Sequence, residues 1–202
     1  CSVGVAACIV YASGTELPLF AIFASTLIGL VVGLATPEPV EGADRRLAWL
    51  VAGPVYVGGM LSSLILLHLQ PDGGRWVILA MIFAFGSDTA AYFAGKLFGR
   101  HRLYPLVSPN KTVEGAVGGL AGGVVGALAA HYWFLPALPL GEGIVLAILA
   151  AGVGQLGDLC VSLIKRSRGV KDSGAILPGH GGLLDRVDAL AFTSVVTLCR
   201  EK

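Results

Sequence analysis

The sequence predicts an all-α fold: a polytopic integral membrane helical bundle of about five full spans, with partial apolar segments at both ends. Three observations lead there. The 202 residues are 55% hydrophobic and only 13% charged, against about 25% charged residues in an ordinary soluble domain, and the mean hydropathy is +0.79. The apolar residues fall in runs long enough to cross a bilayer, each needing about 20 residues. The connections between most of these runs are short and carry Pro and Gly, which punctuate helices.

Taken in order, the spans are expected near 17–35, 47–69, 76–97, 113–135 and 144–164. Residues 1–12 read as the end of a further helix. Residues 187–199 supply 13 apolar-rich residues, fewer than a straight span requires, so this segment is expected to be re-entrant, packed short or truncated. Pro37, Pro39 and Gly42, then Pro71, Gly73 and Gly74, then Pro136, Pro139 and Gly141 mark short loops. Two connections, 98–112 and 165–186, are long and polar instead. With no internal repeat, heptad pattern or low-complexity tract, residues 1–202 are read as a single transmembrane catalytic domain. Because the chain starts at Cys1 without a charged leader, native N-terminal helices are expected to be missing from it.

Charge gives an orientation. Arg45 and Arg46 lie in one loop, Arg100, Arg102 and Lys111 in the next but one, and Lys165, Arg166, Arg168, Lys171 and Arg186 in the next again by the same alternation, whereas the opposite loops hold only Arg75. Lys and Arg concentrate on the cytoplasmic side, so the basic loops are expected there. Arg200 and Lys202 fit this pattern badly if 187–199 crosses. The net charge of +1, from 14 basic and 13 acidic residues, gives no reason to expect a nucleic-acid partner. Cys1, Cys8, Cys160 and Cys199 show no CxxC or Cys/His spacing, which argues against a disulfide framework or zinc site. Span 113–135 carries Gly115, Gly118, Gly119, Gly122, Gly123 and Gly126, a small-residue face for close helix packing. That contact is either internal or between subunits, and a homodimer is one expectation it allows.

Two polar constellations break the apolar pattern. From Asp158 to Asp188 the chain concentrates four Asp, three Arg, two Lys and one His. Asp158 near the end of one span and Asp188 at the start of the next apolar segment should sit near membrane depth, where ionisable groups are costly and usually functional. Carboxylates are hard ligands suited to Mg²⁺, which commonly takes one or two of them together with substrate phosphates. Asp158, Asp185 and Asp188 fit that role, the last two being three residues apart and so on one helix face. Lys165, Arg166, Lys171 and Arg186 supply the charge for phosphate, Arg as a bidentate fork and Lys as a point charge. The turn Pro178-Gly179-His180-Gly181-Gly182 allows close backbone approach to an anion. The second constellation, 86–115, places Asp88 and Lys96 on a span, with Lys96 or a metal as candidate partner for the carboxylate. Ser108, Asn110, Lys111, Thr112 and Glu114 come just before the next span, where helix-start amides and Lys111 can hold a phosphate or Ser108 and Thr112 can cap the helix.

At these residues the chain closely resembles the phosphatidate cytidylyltransferase family, also called CDP-diglyceride synthases. Ser162, Lys165, Arg166, Lys171, Asp172, His180, Gly181, Gly182, Asp185, Arg186 and Asp188 match the family signature without departure. Ser87-Asp88-Thr89, Gly95-Lys96, Phe98-Gly99, Ser108-Pro109, Lys111-Thr112 and Glu114-Gly115 resemble its upstream elements. The resemblance implies an enzyme of phospholipid biosynthesis; Gly and Ala richness and small size suggest a bacterial inner membrane, and the basic loops put the active site on its cytoplasmic side. The resemblance also implies CTP and phosphatidate as substrates, membrane lipids as surroundings, and Mg²⁺ with room for a second cation. Asp158, Asp185 and Asp188 would bind metal with Asp88 as a fourth carboxylate. Catalytic roles would fall to Asp158, Lys171, Asp172, His180, Asp185, Arg186 and Asp188. Substrate contacts would come from Asp88, Lys96, Ser108, Lys111, Thr112, Glu114, Ser162, Lys165, Arg166, Gly181 and Gly182. Two other readings are another CTP-dependent membrane lipid transferase or polyprenol kinase, and, more remotely, a transporter; the latter would place its site on broken helices near mid-bilayer, related by repeats.

Overall fold

The structure, a computed structural model, describes residues 16–35, 43–167, 169 and 184–199; for 16–23, 25, 33, 43–47, 54, 55, 57, 61 and 184–188 it describes the backbone alone. The apolar runs fold as helices, as hydropathy requires where no water can pair the backbone. Each of the five expected spans lies on a helix. They are α1 (Glu16–Ala35), α2 (Ala43–His68), a rod made of α3 (Gly73–Met81) and α4 (Ser87–Phe98), then α5 (Val113–Trp133) and α6 (Leu140–Ser167). Among the described residues, Ala48–His68, Gly73–Phe98, Val113–Trp133 and Leu140–Ser167 are long and apolar enough to cross a membrane. The all-α membrane class therefore holds. The ends 1–12 and 200–202, with Cys1, Cys8, Arg200 and Lys202, lie outside the described residues, while Cys160 and Cys199 are free thiols.

The helices gather into two compact units, Cys1–Leu69 and Gln70–Lys202. In the first, α1 packs on α2 at a point where a Cβ on Gly29 would stand 2.8 Å from the Leu50 carbonyl oxygen, so only glycine permits that approach. Ser62 and Ser63 of α2 donate to the carbonyls of Gly59 and Met60 at 2.6 and 2.5 Å. Those bonds satisfy the hydroxyls within their own helix.

The second unit carries the polar residues. Asp72, in the left-handed region at φ 57°, opens the α3 rod and pairs with Arg75 at 3.2 Å. Between α3 and α4 the rod widens into a π-helical turn, Ile82–Gly86. Such a turn adds a residue to the coil and re-aims the helix beyond it by about 100°, so it sets the direction of Asp88. α5 packs on α4 along one side and on α6 along another, and its glycines make both contacts possible. A Cβ on Gly118 or Gly122 would overlap the Cβ atoms of Ala94 and Ala90, and one on Gly123 would stand 3.1 Å from that of Ala151. The glycine face is thus spent on internal packing, which removes it as a reason to expect a homodimer.

The last helix, α7 (Leu184–Leu198), has 15 residues, about 22 Å of helix, and is packed short against α6 and α3. Its Phe192 ring lies over Gly157, and Thr193 reaches across to donate to the Ala80 carbonyl at 3.3 Å, just before the π-turn. The hydrophobic core, including Leu79, Phe83, Ala127, Ala130, Leu138, Leu146 and Ala150, joins the start of the α3 rod, the end of α5 and the start of α6. The opposite ends of α5 and α6 are left to the polar residues.

The connection 98–112, expected as a polar loop, contains an antiparallel hairpin, β1 (Arg102–Tyr104) and β2 (Ser108–Thr112). It is fastened from three directions. Arg102 donates to the Pro109 carbonyl at 2.7 Å, Glu114 accepts from the backbone N–H groups of Arg100 and His101, and Arg166 Nε donates to the Val107 carbonyl at 3.3 Å. The last bond brings the basic end of α6 to the hairpin, so two of the basic segments lie on the same side of this unit.

Overpacking the α4–α5 contact should cost about 1–3 kcal/mol. Gly118→Leu is expected to lower the unfolding midpoint in detergent by several degrees, while Gly141→Ala, with nothing within 4 Å of the added Cβ, should leave it unchanged or raise it. Equal midpoints for the two variants would contradict the packing assigned to the glycine face.

Candidate active site

One cavity of about 470 Å³ is lined from four elements, three of which bring charge: Asp88, Tyr92 and Lys96 from α4, Asn110, Lys111 and Thr112 from the hairpin, Gly115 and Ala116 from the start of α5, and Gln155 and Asp158 from α6. Sequence distance is closed here by three local devices. The π-turn aims Asp88, and Thr112 caps α5 by accepting from the Gly115 N–H at 3.1 Å. Gly95 and Gly115 let the hairpin end press between α4 and α5, since a Cβ on either would stand 3.0 Å from the Thr112 hydroxyl.

The central interaction is an ion pair between Lys111 and Asp158, 47 residues apart. Both side chains are a little under one-third exposed, so neither charge is fully hydrated and each depends on the other. Asp88 faces the same space, near enough for the charges of Asp158 and Lys111 to act on it. Lys96, offered by the sequence as the partner of Asp88, does not take that role. Eight residues along a helix is about 12 Å, and its ammonium instead lies over the Tyr92 ring, 5.8 Å from the centroid. Among the described residues, the cation whose charge acts on Asp88 is Lys111, delivered by the hairpin.

The remaining expected site residues fall in several places. Asp158, Ser162 and Lys165 recur at helical spacing on α6 and so share a face leading from the cavity to the end of the helix. Thr112 both caps α5 and lines the cavity. Ser108 begins β2 and Glu114 holds the hairpin, its carboxylate 2.7 Å from His101 Nδ1; neither lines the cavity. Lys171, Asp172, His180, Gly181 and Gly182 lie outside the described residues, and of Asp185, Arg186 and Asp188 only the backbone, at the start of α7, is described. Gln155 was not singled out from the sequence. Its signal was available: a lone amide within an apolar span, three residues before Asp158 and therefore on the same helical face.

Whether this cavity suits a divalent cation can be tested on its donors. Among the described residues no group of three His, Cys, Asp or Glu side chains converges. The two carboxylates, Asp88 and Asp158, are nevertheless hard oxygen donors on one cavity, and Mg²⁺ commonly uses only one or two carboxylates beside substrate phosphates. The residues fit.

The fold and cavity define an integral membrane protein whose second unit brings Asp88, Lys111 and Asp158 together on one cavity. The chain belongs to the cytidylyltransferase family, whose model matches residues 2–200. It is similar to proteins named phosphatidate cytidylyltransferase. That of Brucella suis is 46% identical over 169 residues, covering 83% of this chain and 62% of the relative. That of Staphylococcus saprophyticus is 42% identical, covering 68% and 52%, and that of Staphylococcus aureus strain COL is 40% identical, covering 72% and 55%. The chain thus matches over about half to three-fifths of the length of these relatives.

Because the two charges support each other, Lys111→Met should strand the Asp158 carboxylate, and adding Asp158→Asn should recover part of the loss. A double-mutant cycle read by unfolding in detergent is expected to give a coupling of about 1–3 kcal/mol. Additive effects would mean that the pair does not hold the site.

Proposed function

We propose that this chain is a phosphatidate cytidylyltransferase, condensing CTP with phosphatidate to CDP-diacylglycerol and pyrophosphate in a bacterial inner membrane, with 1–202 acting as one transmembrane catalytic domain. The observation that carries this reading is the convergence of Asp88, Lys111 and Asp158 on one cavity at the end of the unit where Arg166 meets the hairpin. The family assignment and the names of the relatives support it. The basic residues at that end support a cytoplasmic orientation.

Two polyanions must be brought together. A phosphate oxygen of phosphatidate attacks the α-phosphorus of CTP, the bond to the β-phosphate breaks, and the electron pair leaves with pyrophosphate. The attacking oxygen is already anionic at neutral pH, so no general base is needed; positioning and charge stabilisation are the protein's task. Lys111 presents a point charge to phosphate from the hairpin, while Lys165 and Arg166 extend positive charge along and beside the α6 face. Asp88 and Asp158, with Asp185 and Asp188 from the start of α7, would hold Mg²⁺. Bound there, the cation supplies Lewis-acid neutralisation of the phosphate oxygens. Lys171, Arg186 and His180 are assigned to phosphate, and Asp172 to a role beside Lys171.

Purified protein in detergent should form CDP-diacylglycerol from CTP and phosphatidate only with Mg²⁺. Asp158→Asn and Asp185→Asn are each expected to lower the rate by at least about 100-fold, while Asp72→Asn, in an exposed pair with Arg75, should not. Folded protein that binds CTP but makes no product would point to another lipid acceptor, such as a polyprenol. Absence of CTP binding would end the nucleotide reading.

A further inference from the structure

Gln155 is the uncharged polar side chain that α6 contributes to the cavity, one turn, about 4.5 Å, from Asp158 on the side away from Lys165. Its amide is oriented. The Nε2 group donates to the Ala116 carbonyl at 3.1 Å, and only the NH₂ end of an amide can do so. The Oε1 end is therefore assigned by elimination, and among the described residues no donor reaches it. Gly119 makes the placement possible, since a Cβ there would stand 2.6 Å from Nε2. The site thus holds a fixed, neutral acceptor.

The chemistry of the reactants limits what can meet it. Phosphate oxygens accept hydrogen bonds and would oppose the Gln155 oxygen. The headgroup of phosphatidate has no amino group and no free glycerol hydroxyl. On the nucleotide, donors occur on the ribose hydroxyls and on the exocyclic amine of cytosine, where uracil carries a carbonyl. The neighbouring lining residues Ala91, Gly115 and Ala116 carry no polar side-chain group to meet sugar hydroxyls, which suits a planar ring better than a hydroxylated sugar. We infer that Gln155 is a specificity-determining residue that accepts a hydrogen bond from the 4-amino group of the cytosine base and so selects CTP over UTP. This rests on the reading of the cavity as a nucleotide site.

Equilibrium binding of CTP, UTP, 2′-deoxy-CTP and a CTP analogue bearing hydrogen in place of the 4-amino group to the purified full chain tests it. The wild type should bind CTP at least about 10-fold more tightly than UTP or the analogue, the scale expected when a fixed polar partner is lost, and 2′-deoxy-CTP nearly as well as CTP. Gln155→Met should weaken CTP by a similar factor, leave UTP within about 2-fold and show little further loss with the analogue. Equal weakening of CTP and UTP would make Gln155 a packing residue, and a loss that tracks the 2′-hydroxyl would assign it to the ribose; either overturns the inference. The analogue series on the wild type decides the matter even if the variant does not fold: equal binding of CTP and the analogue refutes the contact. Wild type that binds no CTP would refute the nucleotide site itself, whereas CTP binding without base discrimination refutes the Gln155 assignment alone.

Discussion

The ion pair between Lys111 and Asp158 is the constraint around which the second unit is organised. A lysine at the end of a hairpin and an aspartate within an apolar helix are individually costly at membrane depth, and they become tolerable by meeting. For them to meet, the hairpin must be pinned between α4, α5 and α6. Glycines at 95 and 115 clear the space for Thr112, Glu114 ties down the amides of Arg100 and His101, and Arg166 fastens the hairpin tip. Several residues that resemble substrate contacts in sequence thus also hold the frame in which the charges converge. Glu114 is the clearest case, since its carboxylate is occupied by the hairpin.

The spans were legible because the bilayer imposes a strong rule: a run of about 20 apolar residues has no alternative to helix. The charged residues were legible for the same reason, as Asp88 and Asp158 stand out against an apolar ground. Their pairing was not. The sequence suggests Lys96 for Asp88 because both lie on one helix, but eight residues of rise separate them, and the effective cation arrives from the hairpin. The hairpin itself was hidden because Ser108-Pro109-Asn110-Lys111 has little intrinsic strand preference. Its extended backbone is fixed by Arg102, Glu114 and Arg166, contacts that lie outside any local window. Gln155 is less legible for a simpler reason: an amide carries no charge, and charge is what marks Asp88, Lys111 and Asp158.

The glycines of α5 show how one pattern supports two readings that only tertiary structure separates. Small residues at regular spacing bring helices close whether the partner is internal or another subunit. Here the face is shared, with Gly118 and Gly122 receiving α4 while Gly123 receives α6. Van der Waals contact between backbones replaces the hydrophobic effect, which contributes nothing between helices already in lipid. The same closeness narrows the cavity wall enough for a residue on α6 to touch the backbone of α5, which is how Gln155 comes to be oriented by Ala116.

Polar and apolar tasks are divided along the helix axes. Leu79, Phe83, Ala130, Leu138 and Ala150 form an apolar core where α3, the end of α5 and the start of α6 meet. The other ends of α5 and α6 part around the charged cavity. A transporter would place its charges on broken helices near the membrane centre, yet α6 runs unbroken past this site and α5 starts beside it, and the π-turn Ile82–Gly86 re-aims Asp88 while keeping the rod continuous. Thr193 bonds to the Ala80 carbonyl beside that turn, and it stands on α7, the helix whose start carries Asp185 and Asp188. A rotation of α7 would therefore disturb the rod that aims Asp88, so one packing arrangement places both that rod and the backbone at the start of α7.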